Sequence, residues 1–334
     1  SIAALAEPVD REPLLARLTA FRQHLAPWHL ALQQSQPIIT APETVCVVMS
    51  TLHLYGGVIV LVNWINQLIL SGVDVRVFVL HYDGAPATGL RLLFEPRPLT
   101  DTASAANELP RATRIVATLW STVAVVEDLV SRVPAARGYY FIQDYETLFY
   151  HDNPAERAER HAAEASYGTP LRKVVTSRWI AAQLPTAADS GPESLTRIPV
   201  GIDHAIFPPS ERQPRDADHP LVIVAMARPE TPRRGFDLLI AALRLVKTHQ
   251  PGTEIHLFGS PALSQHPIPF SYVDLGTVAT DRLRQLYADA DIFVDSSDFQ
   301  GFGLCPLEAM ALGCGCVLTD SGGILEYAEH EVNA

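Results

Sequence analysis

Positive charge is scarce in this chain. Lys and Arg number 25 against 37 Asp and Glu, which leaves a net charge of -12. The basic face that a nucleic-acid binder needs is therefore missing, although a few local arginines suffice to hold a phosphorylated small molecule. Cysteine is scarcer still, with four in 334 residues. Three of them, Cys305, Cys314 and Cys316, crowd one stretch without further cysteines at zinc-site spacing, so a disulfide scaffold and a zinc ribbon are both excluded. No apolar run approaches the ~20 residues of a membrane-spanning helix. No cationic start, apolar run and small-residue cleavage site precede the fold, so the expected compartment is the cytoplasm. The sequence also lacks G-x-x-x-x-G-K-[ST], H-E-x-x-H and G-x-S-x-G, the signatures of P-loop nucleotidases, zinc proteases and serine hydrolases.

Hydrophobic residues are not lacking. They make up 48% of the chain, enough for full cores, and the length points to two domains. Within 1–37, Leu14, Leu18, Phe21, Leu25, Trp28 and Leu32 recur at spacings of four and three and predict an amphipathic helix. That helix packs on its own domain, on a second copy in a homodimer, or on the inner face of a membrane. From Val45 onward, short β-branched runs alternate with helical patterns. Strands are expected at Val45–Met49, Val73–Leu80, Arg114–Ala117, Tyr139–Ile142 and Lys173–Val175, with a helix at Val58–Leu70. A Pro- and charge-rich stretch from Asp189 to Pro220 reads as a linker region. The alternation restarts with strands at Leu221–Met226, Glu254–Phe258, Asp291–Asp295 and Gly315–Thr319. Helices are expected at Phe236–His249, Asp281–Ala288 and Pro306–Leu312. The predicted class is α/β: an N-terminal extension (1–37) and two doubly wound Rossmann-like domains (38–195 and 196–334) with a cleft between them.

The strand-to-helix turns carry the chemistry. Gly56 and Gly57 open the first helix, where bare backbone can approach a phosphate, but the fingerprint G-x-G-x-x-G is absent there. Gln143, Asp144, Tyr145 and Glu146 follow the Tyr139–Ile142 strand at a polar turn. Gln300-Gly301-Phe302-Gly303-Leu304-Cys305-Pro306-Leu307-Glu308 joins a strand to a helix. Its glycines expose amide groups, Pro306 suits the first helical turn, and Glu308 is expected in that turn. Ser321-Gly322-Gly323 forms a second glycine turn. Asp289-Ala290-Asp291 looks like a metal-binding D-x-D, yet it precedes its strand and so lies at the wrong sheet end. His256, inside a strand, reads as a sheet-face histidine.

In this order, these segments resemble the GT-B glycosyltransferases of family 4, which transfer a sugar from a nucleotide donor with retention. That family places two Glu residues around a G-F-G-L core. This chain has Gln300 and Glu308 there, followed by Thr319-Asp320-Ser321-Gly322-Gly323-Ile324-Leu325-Glu326. Arg197–Asp203, Ala227-Arg228 and Arg234–Leu239 are similar to the family's entry into its donor domain, its phosphate-binding arginine and its K-G-x-x-x-L segment. Tyr140–Tyr150 is similar to the S-layer and rhamnan-type rhamnosyltransferases.

The resemblance implies donor binding by Gly56, Gly57, Arg228, Arg234, Gly301, Phe302, Gly303, Leu304 and Glu308. It implies catalytic roles for Asp144, Gln300, Arg228 and Arg234, and acceptor contacts from Gln143, Tyr145 and Glu146. The implied partners are a nucleotide sugar, rhamnose being one candidate, and a glycan acceptor, with no metal and no further cofactor. It also implies that a C-terminal crossover helix, expected after Glu331-Val332-Asn333, is missing here. Gln300 departs from the family's glutamate, which keeps hydrogen-bonding capacity but loses charge. A non-catalytic nucleotide-sugar-binding or scaffold subunit and a nucleotide-sugar epimerase remain the alternatives.

Overall fold

The computed structural model describes residues 44–53, 56–84, 90–185, 195–209 and 219–334. The predicted N-terminal helix and much of the 189–220 linker lie outside the described residues. Two compact units divide between Val200 and Gly201.

The first unit is a seven-stranded parallel sheet flanked by helices α1 (Gly56–Leu70), α2 (Thr102–Asn107), α3 (Val123–Arg132), α4 (Arg157–Ser166) and α5 (Arg178–Gln183). Its strands are β1 (Thr44–Met49), β2 (Asp74–Val79), β3 (Pro96–Pro98), β4 (Arg114–Ala117), β5 (Arg137–Ile142), β6 (Arg172–Val175) and β7 (Leu195–Arg197), in the spatial order β3-β2-β1-β4-β5-β6-β7. The period of two along β1 builds both cores. Cys46 and Val48 face Val126 and Leu129 of α3 (Val123–Arg132). Val45, Val47 and Met49 face Leu61, Val62 and Ile65 of α1 (Gly56–Leu70). Each such side chain, fully buried, contributes about 1.5–3 kcal/mol, which explains why β1 reads as an unbroken apolar run. The Leu195–Arg197 segment, expected to belong to the linker region, instead pairs with β6 at the sheet edge. Its residues are exposed on both faces, so no apolar periodicity marks them.

The second unit has five parallel strands: β8 (Val222–Met226), β9 (Glu254–Phe258), β10 (Val273–Asp274), β11 (Ile292–Asp295) and β12 (Gly315–Leu318), ordered β10-β9-β8-β11-β12. Ile223 and Ala225 pack on Leu239 and Leu243 of α6 (Phe236–His249). Val222 and Val224 pack on Tyr287 of α7 (Thr280–Asp289) and Met310 of α8 (Leu304–Ala311). In each sheet the strand order reverses beside its first strand, β1|β4 and β8|β11. Ligands favour the carboxyl ends of strands at such a reversal.

Candidate functional site

The second unit gathers three loops at the carboxyl ends of β8, β11 and β12. After β8 the chain makes two tight turns, Thr231 N–H to Arg228 O (3.0 Å) and Arg234 N–H to Thr231 O (2.8 Å). Gly235 then starts α6 with φ 62°, and a side chain there would overlap the Ser296 carbonyl. Ser296 Oγ closes the join by donating to Gly235 O at 2.9 Å, and Asp298 N–H donates to Arg233 O at 2.8 Å. The β8 and β11 loops are thereby locked together.

The β11 and β12 loops meet backbone to backbone. Gly323 N–H donates to Gln300 O at 2.6 Å. A Cβ on Gly322 would stand 2.6 Å from Gln300 O, and one on Gly323 would overlap the Gly301 carbonyl and stand 2.6 Å from Phe302 Cα. Gly303 turns the chain into α8 at φ 88°, its carbonyl accepting from the Tyr327 hydroxyl. Glycine is required at these positions by contact distance.

Arg234 reaches into this junction. Its Nη1 donates to Gln300 Oε1 at 3.0 Å and lies 3.4 Å from Ser297 Oγ. Its Nε is buried without a hydrogen-bond partner among the described residues. Gln300, 8% exposed, passes the contact on: its Nε2 donates to Asp295 Oδ2 at 2.9 Å, and Asp295 Oδ1 accepts from Ser297 N–H at 2.9 Å. Both ends of the Gln300 amide are engaged within the unit. Neighbouring Arg233 lies over the Phe299 ring, 5.9 Å from its centroid. Arg228 is half-buried; its Cγ lies 3.2 Å from where a Cβ on Gly259 would stand, and Gly259 takes φ 112°. Burial opposes ionisation of the nearby Glu230. The Ser260 hydroxyl, together with the positive charge of Arg228, nonetheless holds its carboxyl below the usual range.

Several expectations need correction. Helix α8 begins at Leu304 rather than Pro306, because Gly303 takes the cap, so Glu308 lies in the second turn instead of the first. Burial raises its pKa to about 7. Phe302 turns its ring into the unit against Tyr327 (5.5 Å), and Gly301 is buried under the β12 loop. Only Gly303 and Leu304 of the Gly301–Leu304 turn are half-exposed. Asp291 accepts from Val222 N–H at 2.8 Å at the amino end of β11, as its place before the strand predicts. Among the described residues, no group of three or more His, Cys, Asp and Glu could hold a metal ion, and no helix is long and apolar enough to cross a membrane.

In the first unit, exposed Gly56 and Gly57 form the start of α1, and the Gln143 amide lies 3.6 Å from where a Gly57 side chain would begin. Gln143 and Asp144 are half-exposed; Asp144 Oδ1 accepts from Tyr145 N–H at 2.9 Å. Glu146 is sealed inside the unit, whereas Tyr145 is half-exposed like Gln143 and Asp144. Tyr145 stacks on Tyr167 (5.3 Å, 16°), and Glu146 is 2% exposed. Its Oε2 accepts from Trp120 N–H (2.7 Å) and the Tyr140 hydroxyl (3.0 Å), while its own N–H donates to the Tyr167 hydroxyl (2.7 Å). Burial pushes the Glu146 carboxyl up to about 8. Tyr140 on β5 and Tyr167 at the end of the Arg157–Ser166 helix hold this residue, contacts that alternation along one strand cannot display. Asp295 was also not singled out as a site residue. Its only signal is an acid closing an otherwise apolar strand, Ile292-Phe293-Val294-Asp295.

Residues 220–334 match the family model described as glycosyl transferases group 1. An uncharacterized glycosyltransferase of Methanocaldococcus jannaschii is 33% identical over 112 residues, 31% of this chain and 28% of that protein. Mannosylfructose-phosphate synthase of Agrobacterium fabrum is 29% identical over 166 residues, 41% of this chain and 36% of that protein. The chain thus spans about a third of the length of these curated relatives. Among solved structures, sucrose-phosphate synthase of Thermosynechococcus elongatus superposes with a TM-score of 0.62 at 17% identity, covering 84% of this chain and 82% of that one. That likeness carries the fold alone.

Proposed function

We propose that this chain, a GT-B-fold protein related to nucleotide-sugar glycosyltransferases, transfers a sugar from a nucleoside-diphosphate donor to a glycan acceptor. The observation that carries the reading is Arg234, held at the β8|β11 reversal with one guanidinium edge spent on Gln300 and a buried Nε left over. A fixed guanidinium in a partly desolvated loop stabilises negative charge growing on a departing diphosphate more than a mobile one does. Arg228, carried at the end of the same strand, supplies the second cation. Glu308 receives the ribose hydroxyls, and the amides of Gly303 and Leu304 meet the donor at the start of α8. In the first unit, Asp144 and Gln143 beside Gly57 meet the acceptor.

Retention at the anomeric carbon, a rhamnosyl donor with deoxythymidine diphosphate, and work at the inner face of the cytoplasmic membrane belong to the same reading. Retention is supported by the family-4 motifs, the rhamnosyl donor by the Tyr140–Tyr150 string, and the membrane face by the apolar stripe predicted within 1–37. A panel of nucleotide sugars read by thermal shift tests the donor, since a ligand that binds only the folded chain raises its melting temperature. Failure of every nucleotide sugar to shift the transition would remove the reading.

Replacing Arg228 with alanine is expected to weaken nucleoside-diphosphate binding by about 1.5–3 kcal/mol, the range for hydrogen bonds to charged groups. Calorimetry that finds unchanged affinity would take Arg228 out of the site. Transfer is expected to proceed in EDTA, because the Asp289 and Asp291 carboxylates sit at the amino end of the sheet, away from the donor loops. Activity lost to EDTA and restored by Mg²⁺ or Mn²⁺ would contradict this.

A further inference from the structure

We propose that Gln300 is a positioning residue that aims Arg234 at the donor phosphates and does not contact the sugar; this rests on the nucleotide-sugar reading above. The amide is polarised to suit both neighbours. Its oxygen accepts from the Arg234 guanidinium, and its nitrogen donates to the Asp295 carboxylate. Each hydrogen bond is assisted by a charge, and the two polarise one another along the chain Arg234–Gln300–Asp295. A glutamate could accept from Arg234 but, when ionised, could not donate to Asp295. The glutamine at this position is therefore explained by the acid that ends β11. A neutral link also leaves the guanidinium charge uncancelled by a direct carboxylate partner at Nη1. The Gly323 N–H on the Gln300 carbonyl holds the loop, and Ser297 Oγ takes a second, longer contact of 3.4 Å from the same Nη1, so the Gln300 amide supplies the shorter of the two side-chain contacts that aim Arg234.

The test is calorimetry with UDP, GDP, ADP and dTDP, using the tightest binder for the variants. Gln300→Ala is expected to weaken that nucleoside diphosphate about 10-fold, and to weaken it little further when added to Arg234→Ala, because residues acting through one another are not additive. Unchanged affinity in Gln300→Ala, or a full 10-fold loss repeated in the Arg234→Ala background, overturns the proposal. Absence of binding by the unaltered chain overturns both the proposal and the reading beneath it, which separates the two failures.

Should Gln300→Ala fail to fold, the near-isosteric Gln300→Glu decides. Protonated, the new carboxyl can donate to Asp295 and accept from Arg234 as the amide does; ionised, it repels Asp295 and draws Arg234 into a direct pair. Between pH 7 and 8.5, where an ordinary carboxyl is ionised, its affinity is expected to be about 10-fold below that of the unaltered chain. A ratio near one across that range overturns the proposal. The other titratable groups around the pair are Cys305 and Glu308 of α8, Cys316 of β12, and Tyr327. Burial keeps the thiols and the phenol neutral across that range. Glu308 titrates in both chains, so the ratio removes it.

Discussion

A Gly323→Ala chain is expected to lose about 3 kcal/mol of stability in its second unit and its nucleoside-diphosphate binding with it. The added Cβ would overlap the Gly301 carbonyl and stand 2.6 Å from Phe302 Cα, and both obstacles are backbone that cannot swing aside. Overpacking of this kind costs ~1–3 kcal/mol or more, and rigid neighbours put it at the upper end. Relief would require the β12 loop to withdraw, breaking the Gly323 N–H bond to Gln300 O and releasing the loop that carries Arg234's partner. Three of the four tryptophans, Trp64, Trp120 and Trp179, lie in the first unit, and Trp28 is replaced by Phe in every chain compared so that fluorescence reports on that unit alone. Urea unfolding followed by tryptophan fluorescence should therefore stay in place while the far-UV circular dichroism transition of the second unit moves to lower urea. Gly252→Ala supplies the control: nothing lies within 4 Å of its Cβ, and it should stay within about 0.5 kcal/mol. Equal transitions for both variants would show that the two glycine loops are not the rigid junction described above.

The first unit is expected to lose stability as pH rises from about 4.5 to 8. Glu146 carries a carboxyl raised from its ordinary 4.5 to about 8 by burial, against the hydrogen bonds from Trp120 N–H and Tyr140. In that window the folded chain keeps a proton that the unfolded chain has released, so raising the pH favours unfolding. Below 4.5 both states hold the proton, and above about 8 both have lost it, so the slope is confined between. At about 1.4 kcal/mol per pH unit of separation, the loss is on the order of 5 kcal/mol. Glu146→Gln keeps an oxygen for both donors and cannot ionise. Its tryptophan-detected stability should hold level where that of the unaltered chain falls. Parallel curves for the two chains would mean that Glu146 titrates normally and is not sealed in.

These two sites mark the boundary of what periodicity can disclose. The glycines of the β11 and β12 loops stood out in the sequence, as did Arg228, Arg234 and Gln300, because each follows a strongly apolar strand and precedes a helical pattern. Strands such as Arg114–Ala117 and the helix Phe236–His249 were legible to the residue, since a short apolar run and a 3.6-residue stripe each suit one backbone. The edge strand Leu195–Arg197 was not, because an exposed strand buries nothing and leaves no pattern. Glu146 reads as part of a polar turn; Tyr140, on the preceding strand, and Tyr167, distant in sequence, draw it inward, while Tyr145 stacks on Tyr167 and stays half-exposed.

The alternation of apolar runs along the chain, by itself, determined two doubly wound units and the turns on which charge and glycine would gather. It could do so because burial acts on each segment through its own hydrophobic face. Which side chains meet was decided only by the tertiary structure. Residue spacing does not reveal that Asp295 stands within 2.9 Å of Gln300 Nε2, or that Arg234, 66 positions earlier, closes on the other end of the same amide. Those contacts follow from strand order. Parallel pairing of β8 with β11 sets their carboxyl ends side by side and brings together three loops that the sequence keeps far apart.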